Sequence, residues 1–118
     1  MRLDHVQLPM APGREDDADA FYRDLLGLTP QAKPEALAAR GGRWFRVGAL
    51  GVHLGVESDD HRSAKTHVCF VVENYDELLD RLEDAGYAIV SDSELIDVVR
   101  CYVRDPFGNR IELQRAAN

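Results

Sequence analysis

The sequence predicts an α+β fold built from two tandem βαβββ modules whose curved, mixed sheets form a cleft. Three observations carry that prediction. The order strand, helix, three strands occurs twice in 118 residues. Short strings recur in register with it: "LDHVQL" matches "KTHVCF", "LLGL" matches "DAGY", and "GVHL" matches "RIEL". Polar and apolar residues alternate on the first and last strand of each half, as on sheets covered on one face only. The chain is therefore read as one domain, 1–118, with module one at about 1–57, a polar linker at about 58–65 and module two at about 66–118.

The elements follow from local patterns. Alternation places strands at about 2–9, 28–32, 42–48, 50–57, 66–72, 87–91, 98–104 and 109–115. In "DDADAFYRDLLGL", Ala18, Phe21, Tyr22, Leu25 and Leu26 form one apolar helical stripe; acidic residues precede it and Gly27 ends it. In "NYDELLDRLEDAGY", Leu78, Leu79, Leu82 and Ala85 repeat the stripe, Asn74 and Glu77 have capping-box spacing, and Gly86 is the stop. "PEALAAR" reads as one irregular helical turn, while "VGALGV" and "RDPFGNR" read as hairpin connections.

Bulk composition narrows the partners. The chain is 45% hydrophobic and 30% charged, an ordinary globular balance, with a formal net charge of −7. An acidic protein is not suited to nucleic acid or to an anionic membrane surface. No apolar run approaches the roughly 20 residues of a membrane span, and the N-terminus lacks a basic-then-apolar signal pattern, so a cytoplasmic protein is expected. Cys69 and Cys101 lie in strand-like runs and are expected to be buried, reduced thiols.

Residues two apart on a strand share a face. That rule puts His5 with Gln7, His53 with Gly55 and Glu57, His67 with Cys69, and Arg110 with Glu112 and Gln114. The opposite, aliphatic faces pack under the helices. Three imidazoles and one carboxylate then fall on first and last strands of the modules, a ligand set suited to Zn²⁺, Mn²⁺, Fe²⁺, Co²⁺ or Ni²⁺. Each also has a plainer reading: a strand histidine is commonly a satisfied or surface residue, Glu57 at a strand end is commonly solvated, and Arg110 commonly pairs with a carboxylate. Trp44, Phe45, Tyr102 and Phe107 are read as core or hairpin aromatics first and as a ligand platform second.

The strings "LDHVQL", "FYRDLLGL", "GVHLGVE", "THVCFVV" and "YVRDPFGNRIEL" cover nearly the whole chain, and together they resemble the vicinal oxygen chelate superfamily of glyoxalase I, fosfomycin- and bleomycin-resistance proteins and extradiol dioxygenases. The resemblance implies a metal held by His5, His67 and Glu112. It also implies a departure: where glyoxalase I has a glutamate at the end of module one, this chain has His53, either a fourth ligand or a substrate contact. A glyoxalase-like lyase, isomerase or transferase is thus expected, chelating adjacent oxygens of a small substrate. Glu112, His53 and Glu57 are the candidate catalytic groups; Gln7, Trp44, Arg110 and Tyr102 are candidate substrate contacts. The alternative is a binding protein without chemistry that sequesters a small molecule. A homodimer is expected, with the site closed within one chain or shared between two.

Overall fold

The computed structural model describes residues 1–59 and 61–117. It consists of two compact units, Met1–His61 and Arg62–Asn118. Unit one contains β1 (His5–Met10), helix α1, β2 (Thr29–Gln31), α2 (Glu35–Ala38), β3 (Arg43–Val47) and β4 (Leu50–Val56). Helix α1 starts with α-type bonding over Glu15–Ala18 and continues with wider, π-type winding over Asp19–Leu25. Unit two contains β5 (His67–Val72), α3 (Tyr75–Asp84), β6 (Val90–Asp92), β7 (Arg100–Arg104) and β8 (Arg110–Arg115).

Each unit carries one four-stranded sheet, in the orders β1-β4-β3-β2 and β5-β8-β7-β6. The first and last strands of a unit are parallel neighbours, and the remaining pairs are antiparallel. Such a mixed sheet needs a crossover between its parallel strands. In unit two α3 begins that crossover. The register sets Gln7 opposite His53 and Cys69 opposite Glu112, so the topology brings the polar positions of first and last strands together.

The apolar faces form the cores. In unit one Met10, Phe21, Tyr22, Phe45, Val52 and Leu54 are buried, and the Tyr22 ring stacks on Phe45 at 5.7 Å. In unit two Phe70, Leu78, Leu82, Cys101, Val103, Ile111 and Leu113 are buried. Both hairpins form as the sequence predicts. Val47 pairs with Leu50 across a two-residue turn whose Gly48 has φ of 56°. In the turn after β7 the buried Asp105 carboxylate accepts the amides of Phe107 (2.9 Å) and Asn109 (2.8 Å) and the Asn109 side chain (2.8 Å).

Four expectations need correction. The edge strand expected at 87–91 runs from Val90 to Asp92, because Tyr87 donates its amide to the Leu82 carbonyl (3.0 Å) and is used to close α3 past Gly86. Asn74 occupies the N-cap of α3, but its side chain makes no capping hydrogen bond, so the capping box is absent. Glu57 lies one residue beyond β4 and is exposed. Of the two free cysteines, Cys101 is buried but Cys69 is exposed, since it sits on the face of β5 that carries no helix. No helix among the described residues is long and apolar enough to cross a membrane.

Candidate functional site

The helix-free face of sheet two carries the densest polar cluster. His67 on β5 and Glu112 on β8 meet, with His67 Nε2 3.2 Å from Glu112 Oε1. His67 Nδ1 lies 2.6 Å from the Lys65 carbonyl, which can only accept, and that contact fixes the ring with Nε2 turned to the Glu112 carboxylate. Glu112 is buried. Its Oε2 accepts from Cys69 Sγ (3.1 Å) and Gln114 Nε2 (2.7 Å), and its Oε1 accepts from Arg100 Nη1 (3.3 Å). Burial alone would raise the carboxyl pKa. The hydrogen bonds from Cys69, Gln114 and Tyr102, with the Arg100 charge, outweigh it and hold the group at about 2. Cys69 is exposed as a residue, but partial burial of its thiol against the sheet, with the hydrogen bond to that carboxylate, pushes it up to about 12. Glu112 is therefore an anion at neutral pH and Cys69 a neutral thiol.

Around this pair, Tyr102 sets its ring edge-on to His67 at 5.5 Å, and the Arg110 guanidinium lies 3.7 Å above the Tyr102 ring centroid. Arg100 bridges Glu112 to Asp92 (3.2 Å). Arg100, Gln114 and Cys69 thus belong to the site with the residues singled out from sequence. Strand alternation puts Arg100, Tyr102 and Arg104 on one face, which is the signal that could have found Arg100.

Unit one presents a different arrangement on its helix-free face. His53 is buried, with its ring between Trp44 (centroids 3.9 Å, planes 3° apart) and His5 (4.4 Å, 15°). Glycines make room for it. A Cβ on Gly51 would lie 3.0 Å from His5 Cβ and 3.1 Å from His53 Nε2, and one on Gly55 would lie 2.6 Å from Gln7 Nε2. Burial, then the neighbouring His5, lowers the His53 pKa, so the ring is neutral. His5 is exposed, and its Nδ1 bonds the Asp4 carboxylate at 2.9 Å, leaving Nε2 free. Trp44 has one ring face against His53. Gln7 is exposed, and Glu57 is exposed beyond the strand end.

Among the described residues of one chain, no three His, Cys, Asp or Glu side chains gather into a group that could hold a metal. His67 and Glu112 meet in unit two, and His5 stands on unit one. The donor set still suits a divalent cation: a buried anionic carboxylate, and two imidazoles whose Nδ1 is engaged by a carboxylate or carbonyl, as in metal sites where that bond fixes the ring and frees Nε2.

The family model described as Glyoxalase/Bleomycin resistance protein/Dioxygenase superfamily matches residues 2–113. A solved structure of a Bacillus anthracis protein ascribed to the glyoxalase family is similar, with 39% identity and a TM-score of 0.91 over 99% of this chain and 96% of that one. Lactoylglutathione lyase from Agrobacterium tumefaciens (22% identity, TM-score 0.67, 94% and 92% covered) and the fosfomycin resistance protein FosX from Listeria monocytogenes (14%, 0.79, 99% and 94%) share the fold. No curated protein matches the sequence.

Proposed function

The chain belongs to the Glyoxalase/Bleomycin resistance protein/Dioxygenase superfamily, and on that premise we propose that it is a divalent-metal-dependent enzyme of the lyase, isomerase or transferase class. It acts on a small substrate bearing adjacent oxygens. The observation that carries this reading is the His67–Glu112 pair, 3.2 Å apart, an imidazole fixed through Nδ1 facing an anionic carboxylate. His67 and Glu112 would hold the ion, with His5 as third ligand. The reading includes a homodimer in which His5 comes from the second copy. The bound cation would supply Lewis-acid polarisation of the substrate oxygens.

The chain's own groups account for the rest. Asp4 and the Lys65 carbonyl orient the two imidazoles. Arg100, Cys69 and Gln114 hold Glu112 in one rotamer and keep it ionised. His53, neutral and shielded by Trp44, can accept a proton. Tyr102 and Arg110 contact the substrate.

The test is metal analysis of untagged protein stripped with EDTA and titrated with Mn²⁺, Ni²⁺ and Zn²⁺ by calorimetry. One ion per chain is expected, lost in Glu112→Gln and in His67→Ala; no uptake by the wild type overturns the reading. Asp4→Ala should weaken binding by about tenfold or more through its loss of hold on His5.

A second reading, a small-molecule binding protein without chemistry, draws on one observation: Glu112 is already paired with Arg100 at 3.3 Å. Ligand binding that survives both chelation and Glu112→Gln would favour it.

A further inference from the structure

Three arginines share the helix-free face of sheet two, and two of them are committed within the protein. Arg100 bridges Asp92 and Glu112. Arg104 donates to the carbonyls of Ser63 (3.2 Å), Gly108 (3.0 Å) and Ala64 (3.4 Å). Arg110 forms no ion pair within the described residues; its one hydrogen bond is a long one, Nη1 to the Lys65 carbonyl at 3.4 Å. Yet it is held over Tyr102, its guanidinium carbon 3.7 Å from the ring centroid. A guanidinium restrained over an aromatic ring loses little freedom when a planar anion docks.

Arg110 and Tyr102 also line a cavity of about 490 Å³ within unit two, whose far wall is Tyr87, Ala88 and Val90. That volume falls in the range of small-molecule sites. The cavity exists because residues 87–89 turn away to close α3, so that β6 covers β7 only from Val90 onward. Val90 faces Tyr102 across the pair and is 63% exposed, an apolar side chain on an edge strand with nothing over it. The acid in the lining, Asp105, has its carboxylate committed to its own turn. One wall is therefore cationic and the other apolar.

We propose that this cavity seats a small organic acid, with its carboxylate on Arg110 and its apolar body along Val90 and Ala88. This deepens the reading above and rests on it in one respect only: the acid's adjacent oxygens would be those presented to His67 and Glu112. The substrate class is then a carboxylic acid, and Arg110 determines specificity.

The anion site can be tested without metal, so its failure is distinguishable from failure of the metal reading. The full chain, ¹⁵N-labelled and kept in EDTA, is titrated with phenylacetate and with its neutral isostere phenylacetamide. Phenylacetate should shift the amides of Val90, Tyr102 and Arg110 and bind about tenfold or more tighter than the amide, the size of one charge-assisted hydrogen bond. Arg110→Gln should abolish that preference and Arg110→Lys should retain part of it. Val90→Glu, a change at an exposed position, should block phenylacetate while leaving the fold intact. Equal affinity for both probes, no phenylacetate binding, or undiminished binding by Arg110→Gln would overturn the proposal.

Discussion

Tyr75 opens α3 with its phenol buried and hydrogen-bonded to Cys101. Burial, and then that bond, raise its pKa above the ordinary value near 10. The sign follows. Above about pH 10 the unfolded chain loses the phenolic proton while the native chain keeps it, so this stabilisation is complete below that pH and is lost as pH rises further. Urea unfolding from pH 9 to 11.5 should steepen by up to about 1.4 kcal/mol per pH unit, and Tyr75→Phe should flatten that slope. Gly42 is a second sharp case. It has φ of 88°, and a Cβ there would lie 2.3 Å from the Leu54 carbonyl oxygen, an immovable backbone atom. Gly42→Ala should cost about 2 kcal/mol or more by denaturant titration, whereas Gly55→Ala, which meets the end of the flexible Gln7 side chain, should cost less. One contact was legible at this level: strand alternation singled out His67 on one strand and Glu112 on another, and the two do touch. Arg100 was legible only in part: alternation puts it on the face of Tyr102, but only the register that sets β7 beside β8 shows it to be the carboxylate's partner. Asp4 was hidden for a different reason, since adjacency in sequence says nothing about which imidazole nitrogen a carboxylate will engage.

Strands and helices were legible to different depths. Period-two alternation located the sheets because each has one helix-covered face, and "PEALAAR" did yield the short α2. The π-type winding of α1 was not legible, because Phe21 and Tyr22 fit an apolar stripe whether the turn is tight or wide. The missing cap on α3 makes the point quantitatively. An N-cap asparagine that bonds the backbone contributes about 1 kcal/mol; here it makes no such bond, so Asn74→Ala should cost only a few tenths by thermal melting. Leu82, fully buried in the same helix, should cost about 2–5 kcal/mol when changed to Ala. The reverse ranking would mean that α3 is held by its end rather than by its apolar face.

The two units repeat one topology, but their helix-free faces have diverged: stacked rings in the first, an ionised network in the second. If the metal reading holds with His5 supplied across a dimer, inactive variants should complement one another. His5→Ala and Glu112→Gln protein, each unable to bind metal, should on mixing and subunit exchange recover one ion per heterodimer. One of its two sites then draws every ligand from unmutated positions. Sites closed within single chains would recover none, and sedimentation velocity would report whether the dimer forms at all. The ring stack has a practical corollary. Trp44 is the chain's one tryptophan and lies 3.9 Å from His53, which in turn touches His5. Its fluorescence should therefore respond to any event that reorients or charges His5, so quenching of indole emission can follow occupancy of the centre in real time, with no label added.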